Sequence, residues 1–239
     1  MGGFGYHPGV VERFPGVRGA VIHAIGLGND PTPQSLLGAY RREQDDTKDR
    51  VGDAQLSEIP SLAAWRRVFS AFGVKPTQYR SAVEALLRRL TKQGDIHSIN
   101  TLVDMANLVS IRHSLPVAVC DQRPVTGVTT VRFANGEERF TDLGSGTTSH
   151  PEPGEVVFVD DAGLASARRW CWRQSAESAA GPDTTEAIFT IEAHHESAED
   201  DVGHAAEDLL ELLAVHQSDA KTSHGFLDPE SPWFEFGQA

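Results

Sequence analysis

The clearest pattern of apolar and polar positions runs from Ile96 to Asp121, IHSINTLVDMANLVSIRHSLPVAVCD. Either Ser98 or Asn100 is placed to cap a helix there. Leu102, Val103, Met105, Ala106, Leu108, Val109 and Ile111 cover most of a helix circumference, so the spacing predicts a helix buried on nearly all sides. Asn100, Asp104 and Asn107 stand at i, i+4 and i+7 and form one polar line on that helix. Polar groups buried without partners are costly, so this line is expected to be hydrogen-bonded. Arg112 and His113 suit the negative end of the helix, Pro116 ends it, and VAVC predicts a strand leading to Asp121.

Upstream, residues 1–16 are rich in Gly, Pro and aromatics and are expected to form a flexible arm. RGAVIHAIGLG, from Arg18 to Gly28, predicts a buried strand ended by glycines. Pro31 to Ala39 and Arg41 to Arg50 mix charges of both signs and suit an exposed helix pair or a loop. Ser61 is placed to cap a helix on which Leu62, Trp65, Val68, Phe69 and Phe72 share a face, and Gly73 stops it. Beyond a turn at Lys75-Pro76, Thr77 or Ser81 starts another helix with Val83, Leu86, Leu87 and Leu90 inward. Arg66, Arg67, Arg80, Arg88 and Arg89 fall on or near the outer faces of these two helices.

After Asp121 the rhythm changes to that of strands. VTTVRFA and EERFTDLG flank Asn135-Gly136, a strong hairpin signal. Gly144 to Gly154 reads as a loop; GEVVFVDD, RRWCWRQS and EAIFTIEAHH read as further strands. DVGHAAEDLLELLAVH predicts an amphipathic helix with Ala206, Leu209, Leu210 and Leu213 inward. Helices, then strands, then a closing helix predict an α+β fold. The expected organisation is a single domain over residues 17–216, with an N-terminal part to 75 and a core over 76–216. A C-terminal tail follows over 217–239, where Trp233, Phe234 and Phe236 are placed to dock on a surface.

Composition changes this picture in two respects. No apolar run approaches the length needed to cross a bilayer, and MGGFGYHPG lacks a signal-peptide core. Cys120 and Cys171 set no disulfide framework, so a cytoplasmic location is expected. The formal net charge of −13 is also unevenly spread: residues 174–239 hold 15 Asp and Glu against one Lys, which leaves the rest of the chain near neutral. Nonspecific binding to nucleic acid, DNA included, is not expected of such a chain, while a local tRNA contact is compatible with it.

The most unusual local sequence is Arg168 to Ser175. If it is extended, Arg168, Trp170, Trp172 and Gln174 share one face and Arg169, Cys171, Arg173 and Ser175 the other. Two tryptophans one step apart would make a flat wall for an aromatic ligand or a base, with arginines offering a fork to a carboxylate or phosphate. The plainer reading is that both Trp are core and the arginines pair with the acidic C-terminal region. Glu192 ends a strand where a carboxylate can orient a water or hold an ammonium group; the plainer reading is a solvated strand end beside Glu196, Glu199 and Asp200. His194 and His195 are adjacent on a strand and point in opposite directions, which makes them poor co-ligands, so no metal and no cofactor are expected.

The pattern Ile99-Asn100, Val103-Asp104, Asn107, Pro116 and Asp121 resembles the B3/B4 domain of the phenylalanyl-tRNA synthetase β subunit, and the resemblance runs from about Val17 to His216. The segments AAWRRVFSAFGVKPTQYRSAVEALLRRL and RRWCWRQS are similar to freestanding proteins of that group. The resemblance implies a B3/B4-like domain of mixed strands and helices, with an N-terminal extension packed on it and a pocket between the central helix and the last strands. It implies hydrolysis of mischarged tRNA with Glu192 catalytic; on that reading Asn100, Asp104 and Asn107 of the central helix, together with Arg169, Trp170, Trp172 and Arg173 singled out by their own chemistry, are the residues expected to bind substrate. The chain departs from the family in having Ala118 where a histidine is expected, and bulky Arg and Trp where small residues border the editing pocket. Those departures favour the other reading, a noncatalytic module that binds an amino acid, a small aromatic acid or a protein partner. The expected partners are therefore a mischarged tRNA or a small amino-acid-like ligand, with no membrane.

Overall fold

The computed structural model describes residues 2–237. In chain order its elements are β1 (Gly2–Tyr6), α1 (Pro8–Arg13), β2 (Arg18–Ile25), α2 (Gln34–Val51), α3 (Pro60–Ala71), α4 (Ala82–Gln93) and α5 (Thr101–His113). The strands β3 (Val117–Asp121), β4 (Val128–Phe133), β5 (Phe140–Thr141), β6 (Thr148–Ser149), β7 (Val156–Val159), β8 (Ala165–Arg168), β9 (Arg173–Gln174) and β10 (Glu186–Ala193) follow. The chain then runs through α6 (Ala198–His216), β11 (Lys221–Leu227) and β12 (Trp233–Phe236). This is an α+β fold.

The strands build a four-stranded sheet in the order β11-β2-β10-β3 and a six-stranded sheet in the order β12-β1-β4-β7-β8-β9. Alternation along β10 explains how they pack. Phe189, Ile191 and Ala193 point into one core, filled from the other side by α2, α4, α5 and α6. Ile188, and with it Thr190 and Glu192 at the same parity, points the opposite way, toward the six-stranded sheet and the second core of Phe4, Tyr6, Phe158 and Trp170. The four-stranded sheet is therefore covered on both faces, and β10 is buried along nearly its whole length.

Several expectations need correction. The arm of residues 1–16 is a structural element: β1 lies between β12 and β4 and is buried throughout. Its glycines admit neighbours that a side chain would exclude; a Cβ on Gly5 would run into the Trp233 ring. The tail is likewise built in, with β11 paired to β2 and β12 to β1. Met1, Gln238 and Ala239, the remaining residues of the arm and the tail, lie outside the described residues. The exposed helix pair or loop of residues 31–50 is one helix, α2, whose buried stripe runs Leu36, Tyr40, Gln44, Thr47 and Val51. Gln44 and Thr47 make part of that stripe polar, which hid its 3.6-residue period. Ser61 does not cap α3; Ile59 takes that place and the Ser61 hydroxyl donates to the Ser114 carbonyl at 2.8 Å. Ser81 does cap α4, and Asn100 caps α5.

No hairpin forms around Asn135-Gly136, because both edges of β4 are already taken by β1 and β7. The turn itself exists, held by the buried Glu138 carboxylate, which accepts from the backbone of Asn135 and Gly136 at 3.0 Å each. RRWCWRQS is not one strand either. It turns back on itself, Arg168 facing Arg173 across β8 and β9, with Arg169 and Trp170 in the left-handed region at φ 46° and 60°. A tryptophan there is strained, and the strain is held by packing.

Candidate functional site

The cavity that contains the most chemistry lies where α5, β3, β10 and the β8–β9 turn meet. Its volume is about 180 Å³, and its walls are mainly apolar, including Ala106, Ala118, Cys120 and Phe158. Glu192 reaches it because strand parity turns this residue toward the sheet-to-sheet interface. A carboxylate in such a place needs donors, and two meet it. The Tyr6 hydroxyl and the Trp170 indole N–H both donate to Oε1 at 2.9 Å. Oε2 has no protein partner among the described residues and is the oxygen left to the cavity, of which Glu192 forms part of the wall.

The left-handed turn at Arg169-Trp170 is what delivers the indole. It sends Trp170 inward, where the ring meets Trp65, Phe14 and His194 edge-on at centroid distances of 5.3, 5.4 and 4.9 Å. The Trp170 backbone N–H is held by the Val156 carbonyl at 2.6 Å. Tyr6 arrives from the opposite side on β1. Gly19 lies directly across from Glu192 in the β2–β10 register, and a Cβ on Gly19 would collide with the Tyr6 hydroxyl. The absence of a side chain at Gly19 is therefore a condition for the Tyr6–Glu192 contact.

Burial outweighs both hydrogen bonds and pushes the Glu192 carboxyl up to about 7. The same desolvation, with the neighbouring Glu192 charge, raises the Tyr6 phenol well above its ordinary range. Cys120 is pushed up to about 12 by burial and then by the charges of Asp121 and Glu192, so its thiol stays protonated. Burial also raises the Cys171 thiol, and it lowers the His194 imidazole to about 3. Around neutrality Glu192 is thus the group in this cluster that exchanges a proton. Among the described residues, no three His, Cys, Asp or Glu side chains converge as a metal site.

The structure brings together part of the expected residue set. Asn107, Trp170, Trp172, Arg173 and Glu192 line the cavity. Asp104 does not; it is fully buried and accepts from Ile99 N at 2.9 Å, from the Thr32 hydroxyl at 2.6 Å and from the Ser98 hydroxyl. Asn100 accepts from Val103 N at 2.9 Å and donates to the Ala180 carbonyl at 3.0 Å, which ties α5 to the loop before β10. Arg169 is turned away, paired with Glu155 at 2.8 Å and lying 3.9 Å from the Tyr79 ring centre. The flat tryptophan wall is absent, because Trp170 is buried while Trp172 is half-buried beneath Arg169 and Arg173. The arginines pair with Glu155 and Asp142 and not with the acidic C-terminal region. Glu192 is buried and is not a solvated strand end. Tyr6 and Gly19 were missed; the alternation of Phe4 and Tyr6 between glycines is the signal that marks β1 as a buried strand.

A family model described as the B3/4 domain matches residues 64–204. Over 89 residues the chain is 30% identical to the phenylalanine–tRNA ligase beta subunit of Shewanella oneidensis, a match that takes in 37% of this chain and 11% of that subunit. The crystal structure of an N-terminal fragment of the phenylalanyl-tRNA synthetase beta-subunit from Pyrococcus horikoshii is similar with a TM-score of 0.47 and 10% identity, covering 92% of this chain and 50% of that one. The chain thus spans a small part of the first relative's length and half of the second's. No described helix is long and apolar enough to cross a membrane.

Proposed function

The chain belongs to the B3/4 domain family, and from that premise we propose that it is an aminoacyl-tRNA deacylase that removes a wrongly attached amino acid. The observation that carries this reading is Glu192: a buried carboxylate, fixed through Oε1 and open to an apolar cavity through Oε2, with a pKa of about 7. A general base works best when its pKa lies near the working pH. In this reading Glu192 Oε2 takes a proton from a water held between it and the terminal ribose hydroxyls. The hydroxide oxygen bonds to the ester carbonyl carbon, the carbon–oxygen bond to the ribose breaks, and the ribose oxygen leaves with the proton that Glu192 took, which restores the carboxylate. The aminoacyl side chain rests against Trp170 and Trp172. A cavity of roughly 150 Å³ lined by apolar side chains accepts benzene, so about 180 Å³ suits one aromatic ring.

The test is deacylation across a panel of mischarged tRNAs. Wild-type protein should hydrolyse at least one, with a rate that rises with pH through about 7, and Glu192→Gln should lower it by about 10²-fold or more. Absence of turnover on the whole panel overturns the reading. Ala118 on the cavity wall, where the resemblance calls for a histidine, favours a second one, a noncatalytic pocket for an amino acid or small aromatic acid. Calorimetry with free aromatic amino acids separates the two: binding without turnover belongs to the second.

A further inference from the structure

A second, larger concavity shares a wall with the cavity. It has a volume of about 520 Å³ and runs along α4, lined by Arg80, Arg88, Arg89 and Lys92 and closed by Trp172 and Arg173, which also line the smaller cavity. Arg88 and Lys92 stand one helical turn apart and both are exposed. Among the described residues Arg88, Arg89 and Lys92 have no carboxylate in ion-pair range; Arg89 donates only to the Asp95 carbonyl. The acids beside the groove are already engaged, the Asp95 carboxylate with His97 at 3.2 Å. Glu84 is buried and holds Arg66 and Arg80, and Asp142 holds Arg173. The acid-rich α6 supplies none of the lining. In a chain of net charge −13, this is a local cluster of uncompensated cations at the threshold of the cavity.

We propose that this groove binds the phosphodiester backbone of a single-stranded RNA end and so aims its 3′ terminus at the cavity. The assignment deepens the deacylase reading and rests on it for the ester carried by that end. The RNA contact itself rests on charge. A run of phosphates is the anion that gains from several cations in a row, because each contact releases condensed counterions. Arg88, Arg89 and Lys92 are the contacts, and Trp172 with Arg173 is the shared wall across which the terminal nucleotide passes.

The test is anisotropy of a fluorescent single-stranded RNA oligonucleotide with a free 3′ hydroxyl, titrated with the full-length protein over a range of salt. Arg88→Glu with Lys92→Glu should weaken binding by at least tenfold. Replacing the same pair by Ala should reduce the slope of log affinity against log salt by about 1.4, the loss of two contacts to a single strand. Both positions are exposed, so the melting temperature should not change; Arg67→Glu, exposed on α3 outside the groove, should leave binding within twofold. Unchanged binding in the Glu pair, or an equal loss in Arg67→Glu, overturns the proposal. So does equal competition by poly-glutamate at matched charge, which would make the groove a site for an acidic protein segment. Groove-dependent RNA binding without ester hydrolysis leaves this assignment standing and removes the deacylase. Hydrolysis of a mischarged tRNA with KM unaltered by the Glu pair does the reverse.

Discussion

Replacing Glu192 by Gln should make the protein more stable above pH 7 and leave it nearly unchanged at the acid end. Burial shifts this carboxyl from 4.5 to about 7 on folding. Between those values the native state holds a proton that the unfolded chain has released, so the free energy of unfolding falls as pH rises. A difference of that size corresponds to about 3 kcal/mol, present below about pH 4.5 and lost by the time pH passes about 7. The glutamine carbonyl can still accept from Tyr6 and Trp170 but carries no charge, so the variant escapes the loss. Urea unfolding of both proteins at intervals from pH 4.5 to 8.5 measures it, and their difference cancels every other titrating group. The variant's advantage should grow from near zero to about 3 kcal/mol, or about 6–12 °C in Tm for a chain of this size. A difference that stays flat over the range refutes the reasoning: water entering the cavity would then solvate Glu192 as bulk water does.

Two further outcomes follow from the same geometry. Tyr6→Phe removes one of the two donors that hold the Glu192 pKa down, and Gly19→Ala displaces the same hydroxyl, so each should move the midpoint of that pH-dependent difference upward; a midpoint unmoved in both would show that Tyr6 does not act on Glu192. Asp104→Leu leaves the Ile99 N–H and the hydroxyls of Thr32 and Ser98 without their acceptor and should cost about 1–3 kcal/mol by urea unfolding, whereas a midpoint within error of the wild type would place the residue in solvent.

The central helix, with its cap narrowed to Ser98 or Asn100, the buried strands β2, β3 and β10 and the amphipathic α6 were legible in the sequence, because each is a local pattern with one period and clear ends. Glu192 was legible as a candidate because it is a carboxylate at the end of an apolar strand, although the sequence alone left a solvated strand end open. What only tertiary structure decided is which distant segments meet. β1 and β12 read as an arm and a tail because Gly and Pro around them are turn signals that outweigh so short an alternation as Phe4 and Tyr6, yet they pair with each other and fit ring into glycine. The hairpin at Asn135-Gly136 failed because neighbours far along the chain had already claimed both edges of β4. The pairing of Arg168 with Arg173 across a left-handed turn, invisible to a period-2 reading, moved Trp170 into the core and Arg169 onto Glu155. The site itself is the clearest case. Tyr6 and Glu192 are separated by 186 positions, and their contact exists because two sheets pack face to face and Gly19 leaves the space between them open. No local preference encodes that; it follows from which surfaces the whole chain buries together.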